Sequence, residues 1–170
     1  MKALYKFAPG AGKLELTDRP LPQMNERDNA LVRVAACAVC GMDHRIYHGT
    51  YPCRPPFIMG HELVGTVERA MDGVTEVKPG DRVVLQPHLY FCGSCAPCQM
   101  GLTQFCRDKR SVGIDRDGAM TEYVAVPAAF LHRIPDAIPD RLACLIEPFS
   151  MIYGNILPVI RAAEAKNIVI

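Results

Sequence analysis

Four cysteines lie close together in the middle of the chain. Their spacing is C-x2-C-x2-C-x7-C, formed by Cys92, Cys95, Cys98 and Cys106. Four thiolates grouped in this way suit a tetrahedral metal ion, and zinc is the usual one in proteins. Because four protein ligands leave no position for water or substrate, the pattern predicts a structural zinc site in a cysteine-rich lobe.

Two other interpretations of the cysteine-rich lobe are open on the sequence alone. Free thiols or disulfides are the first. An iron–sulfur cluster is the second, because ferredoxins also use C-x2-C-x2-C runs. In those runs the fourth cysteine comes sooner and precedes proline, whereas here it comes later and precedes Arg107. This difference favours zinc.

Charge and composition limit the partners and the compartment. The 170 residues carry a net charge of +1, which does not indicate nucleic acid or an anionic membrane as a partner. No apolar run is long enough to span a bilayer. Residues 1–6 contain no apolar stretch before a cleavage site, so we expect a cytoplasmic protein without a signal peptide. In that compartment cysteines serve as metal ligands more often than as disulfides.

The short apolar segments predict a β-rich domain. These segments are rich in Val and Leu and usually lie near Gly or Pro. They predict strands over 30–36, 63–68, 82–85 and 121–126. A tight turn at 78–81 leads into the third strand. Many short strands separated by turns favour a barrel or a sandwich.

The character of the sequence changes after Pro139. Residues 140–165 predict a helix that is interrupted at Pro148 and Pro158, and residues 167–170 predict the start of a buried strand. In a nucleotide-binding βαβ unit a glycine-rich turn would follow such a strand. No G-x-G-x-x-G motif is present. We therefore expect one domain over 1–150, and over 151–170 a linker helix with the first strand of a second domain.

Three separated residues predict a second, open metal site. Cys40, His61 and Glu147 offer one thiolate, one imidazole and one carboxylate. Three protein ligands leave the fourth position on zinc free for water or substrate, as in catalytic zinc sites. Each residue also has a plain structural interpretation: a small core cysteine, a hydrogen-bonded histidine, and an acid at a helix start.

The local sequences around these residues resemble the zinc-containing medium-chain dehydrogenases of the alcohol, sorbitol and threonine dehydrogenase type. The matching stretches occur in the order and at the intervals of that family, and the resemblance covers the whole chain. They are 40–49 (CGMDHRIYHG), 60–67 (GHELVGTV), 77–83 (VKPGDRV), the cysteine-rich lobe, and 118–123 (GAMTEY).

The resemblance implies a fold and a set of ligands. It implies a β-rich α+β fold, in which a GroES-like β-barrel with a zinc-bound cysteine lobe precedes a Rossmann domain that binds NAD or NADP. It also implies that Cys40, His61 and Glu147 bind catalytic zinc, that Glu62 approaches the metal, and that the lobe cysteines bind structural zinc. Glu147 followed by proline is typical of the polyol and threonine branch. Cys144 is a rival ligand that we interpret as a core residue.

The chain departs from the family at the positions that relay the alcohol proton. The family usually has Ser or Thr two residues after the zinc cysteine, and often His five residues after it. Here these positions hold Met42 and Arg45. Glu62 is therefore the first candidate for the proton route and His44 the second, with Asp43 beside it as a further candidate catalytic residue. Alternatively, Met42 only shapes an apolar pocket and protons exchange with solvent.

The resemblance predicts oxidation of a secondary alcohol or polyol, with two zinc ions per chain and a homo-oligomer, dimer or tetramer, at full length. The segment after the Rossmann domain that completes the catalytic domain in the family is also missing. We therefore expect the 170-residue chain alone to bind no NAD(P) and to be inactive. The alternatives are a non-catalytic zinc-binding module and a family member with other reductase or lyase chemistry.

Overall fold

The computed structural model describes the backbone of residues 1–163 and the side chains of residues 1–157. Within this range the strands are β1 (Lys2–Lys6), β2 (Leu14–Asp18), β3 (Ala30–Ala38), β4 (Phe57–Ile58), β5 (Glu62–Ala70), β6 (Arg82–Leu85), β7 (His88–Leu89), β8 (Arg110–Ser111), β9 (Tyr123–Val126) and β10 (Leu131–Arg133). The helices are α1 (Gly41–Tyr47), α2 (Ala96–Gln99), α3 (Asp140–Ala143) and α4 (Ile146–Ala163). The expected β-rich architecture with few helices is confirmed.

The main sheet has five antiparallel strands in the order β10-β6-β5-β3-β9. All four strands expected from the apolar segments lie in it. The strand at 82–85 has the expected bounds, while β3 and β5 are longer and β9 begins two residues later than expected. A three-stranded sheet, β2-β1-β4, and a two-stranded sheet, β7-β8, complete the β-structure of the described residues.

The core lies on one side of the main sheet. Its fully buried side chains alternate along the strands and include Val32, Leu63, Val67, Val83 and Leu85. Burying each such side chain contributes roughly 1.5–3 kcal/mol relative to leaving it exposed. This packing makes the main sheet a rigid platform for the residues at its strand ends.

The turn before β6 has the expected form. The N–H of Asp81 donates to the carbonyl of Lys78 over 3.1 Å, and the Asp81 carboxylate accepts the Lys78 N–H over 2.9 Å. Gly80 adopts a φ of +92°, which a residue without a Cβ accepts at no steric cost.

The helical segment after Pro139 differs from the expectation. The break falls at residues 144–145, between α3 and α4, and not at the prolines. Pro148 lies in the first turn of α4, where its missing N–H has no helical partner to lose. The helical backbone also continues past Pro158 to Ala163, although an interior proline removes one i→i−4 hydrogen bond. The strand expected at 167–170 lies outside the described residues.

The two helices after Pro139 are fixed to the main sheet. Ala143 and Cys144 pack against Val64 and Val84 in a separate small core. Arg82 on β6 donates to the carbonyl of Ile138 over 2.8 Å and pairs with Asp140 at the start of α3. No helix within the described residues has the length and apolarity needed to cross a membrane.

Candidate metal centres

The pairing of β3 with β5 builds the open site. In this antiparallel pair Ala38 at the end of β3 lies opposite Glu62 at the start of β5. Cys40 follows two residues after Ala38, and His61 immediately precedes Glu62. The register therefore brings a thiol, an imidazole and a carboxylate to one end of the sheet, although Cys40 lies 21 positions before His61 along the chain.

The three side chains form a compact group. The ligand atoms of Cys40, His61 and Glu62 all lie within 4.8 Å of one another. His61 and Glu62 are buried, and Cys40 is half-buried. Burial raises the pKa of the Cys40 thiol, and the nearby Glu62 carboxylate raises it further. A divalent cation would offset this cost by taking the thiolate as a ligand.

Asp43 links Cys40 to His61. Its Oδ2 accepts the backbone N–H of Cys40 over 2.9 Å, which fixes the start of α1. Its Oδ1 lies 3.8 Å from Nδ1 of His61. Both of these atoms are buried and have no hydrogen-bond partner. Burial raises the pKa of the Asp43 carboxyl, while the Cys40 N–H and His61 act in the opposite direction.

This arrangement fits a metal on the other ring nitrogen. A histidine that binds a metal through one nitrogen commonly turns its other N–H toward a carboxylate. Nδ1 of His61 faces Asp43, so Nε2 is the nitrogen left for the ion. The two orphaned buried atoms are thus explained if a small shift on metal binding brings them into hydrogen-bond contact.

The other expected site residues lie around this group. Glu147, half-buried in the first turn of α4, is outside the converging group, but it is near enough to His61 and Glu62 to feel their charges. Its pKa is raised, chiefly by burial. Cys144 is buried in the small core against Val64, where we expected it.

The residues at the proton-relay positions lie on α1. Met42 is half-buried and packs on the apolar cluster of Ile46, Phe57, Met59 and Ile114. The Arg45 guanidinium lies 5.4 Å from the centroid of the Tyr51 ring. His44 is exposed, with its ring centroid 4.4 Å from that of His48. None of the three belongs to the converging group.

Three glycines fix the chain on which His61 is carried. A Cβ on Gly118 would lie 2.2 Å from the carbonyl oxygen of Gly60, and one on Gly113 would lie 2.4 Å from the same atom. Gly60 itself has a φ of +91°. This backbone-to-backbone packing admits no side chain, and it sets where the chain enters the open site.

The cysteine-rich lobe brings its four thiols together around one point. The Sγ atom of Cys98 lies 3.4 Å from the Sγ atom of Cys95 and 3.9 Å from the Sγ atom of Cys92. The Sγ atoms of Cys92 and Cys106 are 3.6 Å apart. Zn–S bonds of about 2.3 Å in a tetrahedron imply S–S separations of ~3.8 Å. All eight cysteines lie in the described part and none forms a disulfide. The donor set fits one zinc ion.

The lobe thiols differ in how easily they ionise. The N–H groups of Cys95 and Ser94 lower the pKa of the Cys92 thiol to about 6. Burial, helped by its Cys95 neighbour, raises the pKa of Cys98 to about 12. Four thiolates at these distances repel one another, so full ionisation requires a cation at the centre.

His88 is a residue that the sequence analysis did not single out. It is half-buried, and its Nδ1 lies 2.8 Å from the buried hydroxyl of Ser111. With Glu147 and Ser150 it lines a cavity of about 530 Å³ at the side of the open site. No motif surrounds His88, and only its position just before the lobe would have drawn attention to it.

Comparison with known proteins shows which family has this architecture. Residues 26–136 match the family model of the alcohol dehydrogenase GroES-like domain. The chain belongs to the zinc-containing medium-chain dehydrogenases. L-threonine 3-dehydrogenase from Anaeromyxobacter dehalogenans (strain 2CP-C) is 39% identical over 155 residues, which cover 88% of this chain and 44% of that protein. The same enzyme from Shewanella frigidimarina (strain NCIMB 400) is 40% identical over 155 residues, with the same coverage of 88% and 44%.

Solved structures agree with this family. A zinc-binding dehydrogenase from Sinorhizobium meliloti 1021, bound to NADP, superposes on this GroES-like chain with a TM-score of 0.82 and 34% identity, covering 92% of this chain and 45% of that one. Galactitol-1-phosphate dehydrogenase from Escherichia coli gives a TM-score of 0.78 and 27% identity, covering 88% and 42%. The chain thus spans less than half the length of these medium-chain dehydrogenases.

Proposed function

We propose that this chain is the catalytic domain of a zinc-dependent, NAD(P)-linked dehydrogenase acting on a secondary alcohol or polyol. The observation that carries the proposal is the buried convergence of Cys40, His61 and Glu62, with Glu147 beside them. A set of soft and hard ligands that leaves one position open is typical of catalytic zinc. Relatives named for threonine and for galactitol-1-phosphate support an alcohol as substrate.

Each residue of the open site has a distinct role in this proposal. Cys40, His61 and Glu147 hold the ion, and Asp43 orients the His61 ring. When bound, zinc supplies Lewis-acid polarisation of a substrate oxygen. Glu62 accepts the hydroxyl proton at its carboxylate, since Met42 has no exchangeable proton and Arg45 stays charged. His44, exposed on α1, is the second route for that proton.

The cysteine-rich lobe has a structural role in this proposal. Its four thiols supply a closed set of ligands, and the lobe has little apolar core of its own: α2 contributes no buried residue. A second zinc ion therefore provides folding free energy to the lobe and takes no part in chemistry.

The activity belongs to the whole protein that contains this domain. Hydride transfer is the chemistry of the nicotinamide, so the chain contributes substrate positioning and the electrostatics of the site. We expect NAD or NADP to bind a Rossmann domain outside this chain, and the full-length protein to be a homo-oligomer. The 170 residues alone should show no turnover.

An assay of the full-length protein tests the proposal. Secondary alcohols and polyols should reduce NAD⁺ or NADP⁺, and Cys40→Ser should abolish this reduction while the lobe keeps its zinc. Cys144→Ser, a change to a neighbouring core thiol, is the control and should remain active. A wild-type protein that reduces neither cofactor and holds zinc only in the lobe would identify a non-catalytic zinc-binding module instead.

A further inference from the structure

A second cavity, of about 440 Å³, shares His88 with the cavity that contains Glu147. Residues 51–54, after α1, form one wall, and residues 106–115, which leave the cysteine-rich lobe, form the other. Four cationic side chains line it, and they are Arg54, Arg107, Lys109 and Arg110. One carboxylate, Asp115, lines it as well. We call it the basic cavity.

The four cations of the basic cavity have no carboxylate partner among the described side chains. Lys109 donates to the backbone carbonyl of Gln104 over 2.6 Å, and Arg110 has only a 3.4 Å contact with the carbonyl of Lys109. One carboxylate oxygen of Asp115 accepts a hydrogen bond from the backbone N–H of Ser111 over 2.7 Å. The cavity therefore carries an excess of positive charge.

Only some cations of the described residues are paired with a carboxylate, so what distinguishes the basic cavity is that four of its lining cations are unpaired and lie together. Arg82 pairs with Asp140, Arg116 with Asp28, and Lys2 with Asp18. The net charge of the whole chain is only +1. Cations crowded into one concave site without counterions create a local potential that attracts an anion. The confinement of this charge to one small cavity suits a small anionic group better than an extended polyanion.

His88 is shared by the basic cavity and the larger cavity that contains Glu147, and its side chain lines both. Burial lowers the pKa of His88, and the charges of Lys109 on one side and His61 on the other lower it further. His88 is thus within electrostatic reach of Lys109 in the basic cavity and of His61 in the open site.

We propose that the basic cavity binds an anionic group, a carboxylate or a phosphate, of the substrate whose hydroxyl lies at the open site. This inference rests on the proposed function and defines its substrate class as an acidic or phosphorylated alcohol. Arg54 and Arg110 line the cavity from two separate segments of the chain, and a guanidinium is a planar fork that can bind two oxygens of such a group.

Direct titration tests the proposal without using catalysis. Inorganic phosphate and gluconate, a sugar acid, are each added to the zinc-loaded 170-residue chain at constant ionic strength, with chloride as the reference. Saturable ¹H–¹⁵N shifts are expected at Arg54, Arg110 and Ser111. The double variant Arg54→Gln/Arg110→Gln should bind at least about tenfold more weakly, because two charge-assisted contacts are lost. Arg133→Gln removes an exposed cation outside the cavity and should bind as wild type.

The outcomes separate the cavity from the metal site. Tighter binding of phosphate indicates a phosphorylated substrate, and tighter binding of gluconate indicates an acid; both support the proposal. Absence of saturable shifts in zinc-loaded wild type, or equal affinity of the double variant, overturns it. The single variant Arg54→Gln, at an exposed position, supplies the same test if the double variant does not fold. Zinc content measured on each sample shows independently whether the open site binds metal.

Discussion

Asp43 and His61 face each other in the buried floor of the open site, with Oδ1 of the carboxylate 3.8 Å from Nδ1 of the ring. They come from different elements, since Asp43 lies in the first turn of α1 and His61 precedes β5. The other oxygen of Asp43 is held by the N–H of Cys40. One carboxylate therefore positions two of the proposed zinc ligands at once.

The first prediction concerns this shared carboxylate. Asp43→Asn should weaken zinc binding at the open site by about 10–100-fold, the usual effect of removing a group that orients a metal-bound histidine. Competition with a chelator measures the affinity, and the cysteine-rich lobe should retain its own zinc. His44→Asn changes the exposed neighbour and should leave both affinities unchanged. Equal affinities for Asp43→Asn and wild type would exclude this role.

The second prediction is a stoichiometry of two zinc ions per chain that exchange at different rates. The open site has a position accessible to a competing ligand, whereas the four thiolates of the lobe enclose their ion. A chelator should therefore remove one equivalent quickly and the second slowly. Metal analysis of samples taken at successive times after adding the chelator measures the two rates of zinc loss. A total near one zinc ion per chain would show that the open site does not bind zinc. Visible absorption typical of an iron–sulfur cluster would contradict zinc in the lobe.

The third prediction separates the two sites by their effect on stability. Cys95→Ser should lower Tm by about 6–12 °C, the shift that a loss of ~3 kcal/mol produces in a domain of this size. Cys40→Ser should change Tm much less, because the β3–β5 register and the core hold that region without metal. Equal loss of stability in the two variants would show that the division into structural and catalytic sites is wrong.

The fourth prediction concerns the glycine packing beside His61. Gly118→Ala should destabilise the chain by about 1–3 kcal/mol, since the added Cβ meets backbone atoms that cannot move aside. Gly154→Ala is the matched control, because its Cβ meets nothing within 4 Å on α4. A helix favours alanine over glycine by roughly 0.5–1 kcal/mol, so this control should be neutral or more stable. Denaturant unfolding distinguishes the two variants.

Local sequence patterns predicted the strands and the cysteine-rich lobe. The apolar alternation of β3, β5 and β6 and the spacing of Cys92 to Cys106 act over short stretches of chain. The helix break lies at residues 144–145 and not at the prolines, because the sequence does not reveal where α4 starts. Once α4 begins at Ile146, Pro148 falls where its lack of an N–H costs nothing.

The detailed geometry of the open site depends on contacts between distant segments. The resemblance implies Cys40, His61 and Glu147 as ligands with Glu62 near the metal, and the β3–β5 register brings Cys40, His61 and Glu62 together while Glu147 lies outside that group. The orientation of Asp43 toward His61, and the basic cavity shared through His88, arise from tertiary packing. No sequence spacing encodes these contacts.

The last prediction decides which side chains complete the open site. Cobalt(II) in place of zinc reports its ligands through its visible absorption. Glu62→Gln should alter the spectrum, because that carboxylate already lies with the ligand atoms of Cys40 and His61. Glu147→Gln should alter it too, since we expect the first turn of α4 to move in and supply the third protein ligand when metal binds, with Glu62 beside the open fourth position.

Cys144→Ser is the control for this comparison, because its thiol is buried in the small core of α3 and the main sheet. Its spectrum should equal that of the wild type. A spectrum unchanged by Glu147→Gln but altered by Cys144→Ser would reverse the assignment and give the site a second thiolate. A spectrum changed only by Glu62→Gln would leave Cys40, His61 and Glu62 as the complete set of protein ligands. In that case the fourth position belongs to solvent or substrate, and Glu147 acts only as a charged wall of the adjoining cavity.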